Sequence, residues 1–217
     1  MNSPGYIAIE GPIGVGKTSF ASLIAEEMHA RLVLEEPDEN PFLMDFYKDR
    51  QGRAFQTQLY FLLSRFRQQE AEFSQPDLFG PKVVISDYIF AKDRIFASQN
   101  LDDNELALYD QVYSLLEPRV QKPDRVVYLQ ADVDTLMERI RRRDRDFERR
   151  ISREYVTAIN EAYNRFFFNY SDTPLLVVQT ADIDFVRDLA GLKDLVRQIN
   201  RGGAGTLYYR PMPASPG

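Results

Sequence analysis

Short, nearly continuous apolar runs recur along the chain. Tyr6 to Ile9, Arg31 to Leu34, Val83 to Ser86, Arg125 to Leu129 and Leu175 to Val178 have the pattern of strands buried on both faces. Between them the apolar positions repeat every three or four residues. Phe20, Leu23, Ile24 and Met28 mark a helix over 19–30, and Phe55, Leu59, Leu62, Leu63 and Phe66 mark a long one over 53–73. Further helices are read at 103–116, 132–140, 151–168 and 185–199, with a short helix or turn at 40–47. Residues 74–81 read as a loop. Strands alternating with helices predict an α/β fold, a parallel sheet covered on both faces. Residues 1–200 form one domain in this reading. Residues 201–217, rich in Gly and Pro, read as a flexible C-terminal tail.

The first strand leads directly into Gly11, Pro12, Ile13, Gly14, Val15, Gly16, Lys17 and Thr18. This is G-x-x-x-x-G-K-[ST] between a strand and a helix, the context that a phosphate-binding loop requires. The glycines let successive N–H groups curl around one anion, and the helix N-terminus adds partial positive charge. Lys17 then reaches the β- and γ-phosphates of a nucleotide such as ATP, and the Thr18 hydroxyl ligates Mg²⁺.

In an open parallel sheet, ligands bind beyond the carboxyl ends of the strands. The second strand read here ends in Glu35-Glu36 and the third in Ser86-Asp87, so carboxylates converge on the phosphate loop. Side chains alternate along a strand, so only one of Glu35 and Glu36 faces the site. That acid can accept a proton from an incoming hydroxyl, and Asp87 can hold Mg²⁺ directly or through water. On the long helix, Gln58 and Arg65 share a face. They suit either a polar rim beside the core or the edge of a nucleobase, and spacing alone favours the rim. Residues 139–150 carry seven arginines against Asp144, Asp146 and Glu148. They read as a flap that closes on phosphates, against the alternatives of a solvated helix face or a local nucleic-acid patch. His29 is assigned no catalytic role, and Phe166 to Phe168 read as core or dimer contact.

Composition narrows the classes. The 217 residues have a net charge of −6, which argues against a dedicated nucleic-acid binder. There is no cysteine, so there is no thiolate metal site, in keeping with a reducing, cytoplasmic setting. The chain enters a strand almost at once, leaving no room for a signal peptide. No apolar stretch approaches the length of a membrane span.

Several motifs together resemble the deoxyribonucleoside kinase family, of the bacterial deoxyadenosine/deoxyguanosine kinase type. They are Gly11 to Thr18, Glu35-Glu-Pro37, Phe55-Gln-Thr-Gln58 with Ser64-Arg65, Ser86-Asp87, and the segment from Arg139 to Glu148. The resemblance implies a P-loop kinase three-layer fold with a five-stranded parallel sheet and an arginine-rich lid at about 139–150. It implies a homodimer, with ATP as donor and Mg²⁺ as cofactor. It places the general base on Glu36, base recognition on Gln58, Arg65 and Asp93, and the 3′-hydroxyl clasp on Tyr47 and Glu148. It assigns the lid arginines to Arg139, Arg143 and Arg145. The chain departs from the pattern after the third strand, where similar enzymes carry Asp/Glu-Arg-Ser and this one reads Asp87-Tyr88-Ile89. Arg94 or a lid arginine is expected to replace the missing guanidinium.

The expected reaction is transfer of the γ-phosphoryl group of ATP to the 5′-hydroxyl of a deoxynucleoside, deoxyadenosine first, with deoxyguanosine or deoxycytidine as related acceptors. A thymidylate-kinase-like enzyme shares the loop and lid, but it must bind an acceptor phosphate, which Glu35 would repel. A GTPase-type switch finds a D-x-x-G at Asp77 to Gly80, but before the third strand and without Asn-Lys-x-Asp. A nucleic-acid-stimulated ATPase is the remaining rival.

Overall fold

The computed structural model describes residues 5–73, 81–180, 189–201 and 203–210, with backbone alone for Phe147 and Leu189. The strands are β1 (Tyr6–Glu10), β2 (Arg31–Val33), β3 (Val84–Ser86), β4 (Arg125–Gln130), β5 (Leu175–Gln179) and β6 (Thr206–Tyr209). They form one sheet in the order β2-β3-β1-β4-β5-β6, and every neighbouring pair is parallel. β1 is buried along its whole length, and β4 and β5 along all but their last residues. This is why their sequences read as unbroken apolar runs.

Helices cover both faces. α1 (Lys17–Met28) packs on the first three strands and meets α8 (Leu189–Asn200). On the opposite face, α7 (Arg153–Phe168) lays Phe167 on Tyr128 of β4, with ring centroids 4.1 Å apart. α4 (Lys92–Asn100) joins α7 to the long α3 (Arg50–Phe73), and α6 (Val133–Arg143) packs beside α7. α2 (Leu43–Phe46) packs on α3, and α5 (Asp103–Leu116) covers α3 and α4. The start of α5 is written locally: Asp102 accepts from the Glu105 amide, and Glu105 accepts from the Asp102 amide. The three-layer α/β architecture is as the sequence predicts.

Two elements correct the sequence reading. The sheet has six strands, not five, because Thr206–Tyr209 lies within the stretch read as a tail. Its Thr and Tyr residues favour extended backbone, while the surrounding Gly and Pro mask so short a strand in a compositional reading. Gly203 and Gly205 take positive φ values of 135° and 79° and turn the chain back beside β5. Tyr209 then donates a 2.6 Å hydrogen bond to Asp194 on α8. Residues 211–217 lie outside the described residues, as do the loop at 74–80 with its D-x-x-G and the expected helix start at 185–188.

The second correction is α4, which the apolar pattern does not announce. Its buried positions include Lys92 and Asp93 beside Ile95 and Ala97, so the inward face is half charged. Among the described residues, no helix is long and apolar enough to cross a membrane. Tyr209→Phe should lower stability by about 0.5–1 kcal/mol through loss of the Asp194 bond, read as a shift in the urea midpoint.

Candidate active site

The cavity opens beyond the carboxyl ends of β1, β2 and β3, where the chain order changes direction across the sheet. On one side of it the loop from Gly11 to Thr18 keeps three glycines at positive φ: Gly11 at 155°, Gly14 at 84° and Gly16 at 100°. Gly14 also has no space for a side chain. A Cβ there would lie 2.7 Å from the Leu136 carbonyl and 2.8 Å from Ile140 Cγ1, so the loop backs directly onto α6. Ile13, Gly14, Gly16, Lys17 and Thr18 line the cavity, while Gly11, Pro12 and Val15 shape the loop from behind. The Lys17 ammonium donates to the Gly11 and Pro12 carbonyls at 2.7 and 3.2 Å. Burial and the nearby Lys92 push its pKa down to about 8, against the opposing pull of Glu10, Glu35 and Asp87.

Asp87 joins the phosphate loop to the end of β2. Its Oδ2 accepts from the Thr18 hydroxyl at 2.6 Å, and its Oδ1 accepts from the Glu35 amide at 2.8 Å. A hydroxyl beside a carboxylate is a hard-oxygen pair that suits Mg²⁺, which characteristically takes few protein ligands and completes its shell with phosphate and water. Among the described residues, no group of three or more His, Cys, Asp or Glu side chains is arranged to hold a metal ion.

Glu35, not Glu36, turns into the cavity. Its carboxylate receives Arg65 Nη2 on Oε1 at 2.7 Å and the Lys92 ammonium on Oε2. Burial favours the neutral acid, but Lys92 and Arg65 outweigh it and hold Glu35 well below the usual carboxylate range. Glu36 is exposed beside Glu39 on the far side of the strand end. The assignment of the base to Glu36 is therefore corrected in placement. Alternation required one acid to face inward, and the structure selects the first.

Gln58 and Arg65 are buried and line the cavity from α3, so the polar-rim reading does not hold. Arg65 grips Asp93 through Nε at 2.7 Å and Nη2 at 3.0 Å, and its guanidinium carbon sits 4.6 Å from the centre of the Tyr88 ring. Tyr88 thus supports Arg65 and supplies no charge of its own. Arg94 does not replace the missing guanidinium: it points to the surface and pairs with Asp110 at 2.9 Å. The cation that reaches Glu35 in addition to Arg65 is Lys92, which sequence reasoning missed. It lies in a helix that shows no apolar stripe, and no motif marks it.

Glu10 was missed as well. Wholly buried at the end of β1, it accepts from the Gly11 amide (2.9 Å), the Ile89 amide (3.0 Å) and the Tyr163 hydroxyl (3.1 Å). Burial pushes its carboxyl up.

The arginine-rich segment is not a free loop. α6 runs to Arg143, Asp144 reverses the chain at a φ of 49°, and Asp146–Arg150 form a 3₁₀ turn before α7. Arg143 pairs with the buried Glu148, and both line the cavity with Arg145 and Tyr47. Arg139 does not line it. Its guanidinium donates to the Val15 carbonyl at 3.0 Å and the Thr180 carbonyl at 2.6 Å, bracing the phosphate loop from outside.

The family model described as "Deoxynucleoside kinase" matches residues 7–202. The chain belongs to the deoxynucleoside kinase family. It is 33% identical to a deoxyguanosine kinase of Bacillus subtilis over 207 residues, covering 90% of this chain and all of that one. It is 29% identical over 200 residues to a deoxyadenosine/deoxycytidine kinase of the same organism, covering 89% and 90% of the two chains. Among solved structures, deoxyadenosine kinase from M. mycoides with bound dATP superposes with a TM-score of 0.75 at 26% identity, covering 91% of this chain and 100% of that one. The chain is thus a kinase, a phosphoryl transferase of this family.

Gly14→Ala should cost roughly 1–3 kcal/mol, because the new methyl group meets backbone and the φ is unfavourable for it. A urea titration measures the loss, and nucleotide binding should weaken with it.

Proposed function

We propose that the chain transfers the γ-phosphoryl group of ATP to the 5′-hydroxyl of a deoxynucleoside in nucleotide salvage, with Mg²⁺ and with deoxyadenosine as the leading acceptor. The observation that carries this reading is the inward carboxylate of Glu35, fixed across one cavity from Lys17 and Thr18. A water-using nucleotide hydrolase has no need of the second arm of that cavity. Gln58, Arg65 and Asp93 line this arm, with Phe61 and Phe96 offering flat apolar surface.

In this reading, Lys17 and the loop amides hold the donor phosphates, and Thr18 and Asp87 hold Mg²⁺. Held by Thr18 and Asp87, the ion would supply neutralisation of charge on the donor phosphates. Glu35 remains ionised between its two cations, which makes it a weak base. That suits a loose phosphoryl-transfer step, in which the carboxylate orients the acceptor hydroxyl and takes its proton late. Tyr47 and Glu148 take the 3′-hydroxyl, and Arg143 and Arg145 approach the transferring phosphoryl group from the lid. Arg139 acts through the loop and touches neither substrate. A monophosphate acceptor would set its phosphate against the Glu35 carboxylate, which favours the neutral nucleoside.

Deoxyadenosine as leading acceptor draws support from relatives that include a deoxyguanosine kinase, a deoxyadenosine/deoxycytidine kinase and a deoxyadenosine kinase. A homodimer in the cytoplasm completes the proposal. Exposed Leu108, Leu115 and Phe168 are apolar candidates for its contact, and light scattering measures its mass.

Initial rates with the four deoxynucleosides and their monophosphates, using ATP and Mg²⁺, test the acceptor directly. Turnover of the monophosphates alone would overturn the proposal. Glu35→Gln should lower kcat by at least about 10²-fold with ATP binding retained, while Glu36→Gln stays near the parent rate. The opposite outcome would return the role to Glu36. Tyr47→Phe should narrow the preference for 2′-deoxynucleosides over their 2′,3′-dideoxy analogues by roughly 2- to 10-fold, the worth of one hydrogen bond, measured by competition.

A further inference from the structure

Lys92 begins α4 with its side chain only 9% exposed and reaching into the cavity. Burying an ammonium this deeply is costly unless it is paired. Among the described residues its side chain donates to Glu35 Oε2, and the Phe96 ring lies 6.0 Å away. An ammonium has three donors, so further N–H groups remain for the cavity. The other cation on Glu35 is differently placed. Arg65 is tied twice to Asp93 and stacked on Tyr88, so it belongs first to the nucleobase end of the site. Lys92 contacts the opposite oxygen of the Glu35 carboxylate. With one oxygen held by each cation, the carboxylate cannot rotate about its last bond without breaking an ion pair.

We propose that Lys92 is a positioning residue for phosphoryl transfer: its ammonium fixes the Glu35 carboxylate toward the acceptor hydroxyl. At the motif position where similar enzymes carry arginine this chain has Tyr88, and the cation that reaches the second Glu35 oxygen is Lys92, four residues further on in the first turn of α4. The motif position holds an aromatic ring under Arg65. The inference rests on Glu35 as the hydroxyl acceptor.

The test is a double-mutant cycle on the full chain with deoxyadenosine, ATP and Mg²⁺, or with whichever deoxynucleoside proves the best acceptor. Lys92→Met keeps the bulk and removes the charge. It should lower kcat by roughly 10- to 100-fold and leave both KM values within about threefold. Lys92→Arg should recover most of the rate. Glu35→Gln combined with Lys92→Met should be no slower than Glu35→Gln alone, because the lysine acts only through the carboxylate. Lys92→Ala should regain activity saturably with added ethylammonium, a response that lost packing cannot produce. If Lys92→Met does not fold, Lys92→Gln takes its place in the cycle.

Additive losses in the cycle would overturn the proposal, as would unchanged kcat in the charge-removing variant or failure of both Lys92→Arg and ethylammonium to restore rate. The two readings fail separately. Normal turnover in Glu35→Gln would remove the acceptor role of Glu35 itself. A collapsed Glu35→Gln beside a fully active Lys92→Met would remove only the role of Lys92.

Discussion

Charges buried together must answer one another, and this requirement organises the interior around the cavity. Arg65 and Lys92 face Glu35 and Asp93 there, each contacting a carboxylate. Removing any one member would leave the group of four with an unbalanced buried charge, a larger penalty than loss of a surface ion pair. The group therefore fixes the relative placement of α3, α4 and the end of β2. Those three elements line the cavity opposite the phosphate loop, so the arrangement that satisfies the interior also builds the wall of the cavity.

Asp87 extends that order to the phosphate loop. Its two oxygens are committed to Thr18 on one side and to the Glu35 backbone on the other. Glu10 makes a second tie from below, between the phosphate loop and the turn after β3. Phosphoryl transfer has little bond chemistry for a protein to perform and depends on holding two reactants in line. A scaffold in which single carboxylates bridge the two halves meets that demand directly.

The parts of the chain that face apolar neighbours were legible in the sequence. The runs of β1, β4 and β5 and the phosphate loop stand where the pattern of residues puts them, because burial on both faces and tight backbone turns leave strong local marks. α4 was hidden for the opposite reason. Its inward side carries Lys92 and Asp93, and periodicity reads charge as solvent. The same bias misjudged α3, whose most buried face bears Gln58, Arg65 and Gln69. The choice between Glu35 and Glu36 turned on one residue of strand register, and the motif around them does not fix it. β6 was lost because four β-prone residues are too few to stand out against the glycines beside them.

The contact between the phosphate loop and α6 has a mechanical consequence. Gly14 seats against Leu136 and Ile140, and Arg139 clasps Val15, so α6 is fastened to the phosphate loop as far as Ile140. At the other end, Ser152 caps α7 by accepting from the Tyr155 amide. The arginines after Ile140 sit on the span between these two fixed points, where Asp144 reverses the chain at a φ of 49° and a single 3₁₀ turn leads into α7.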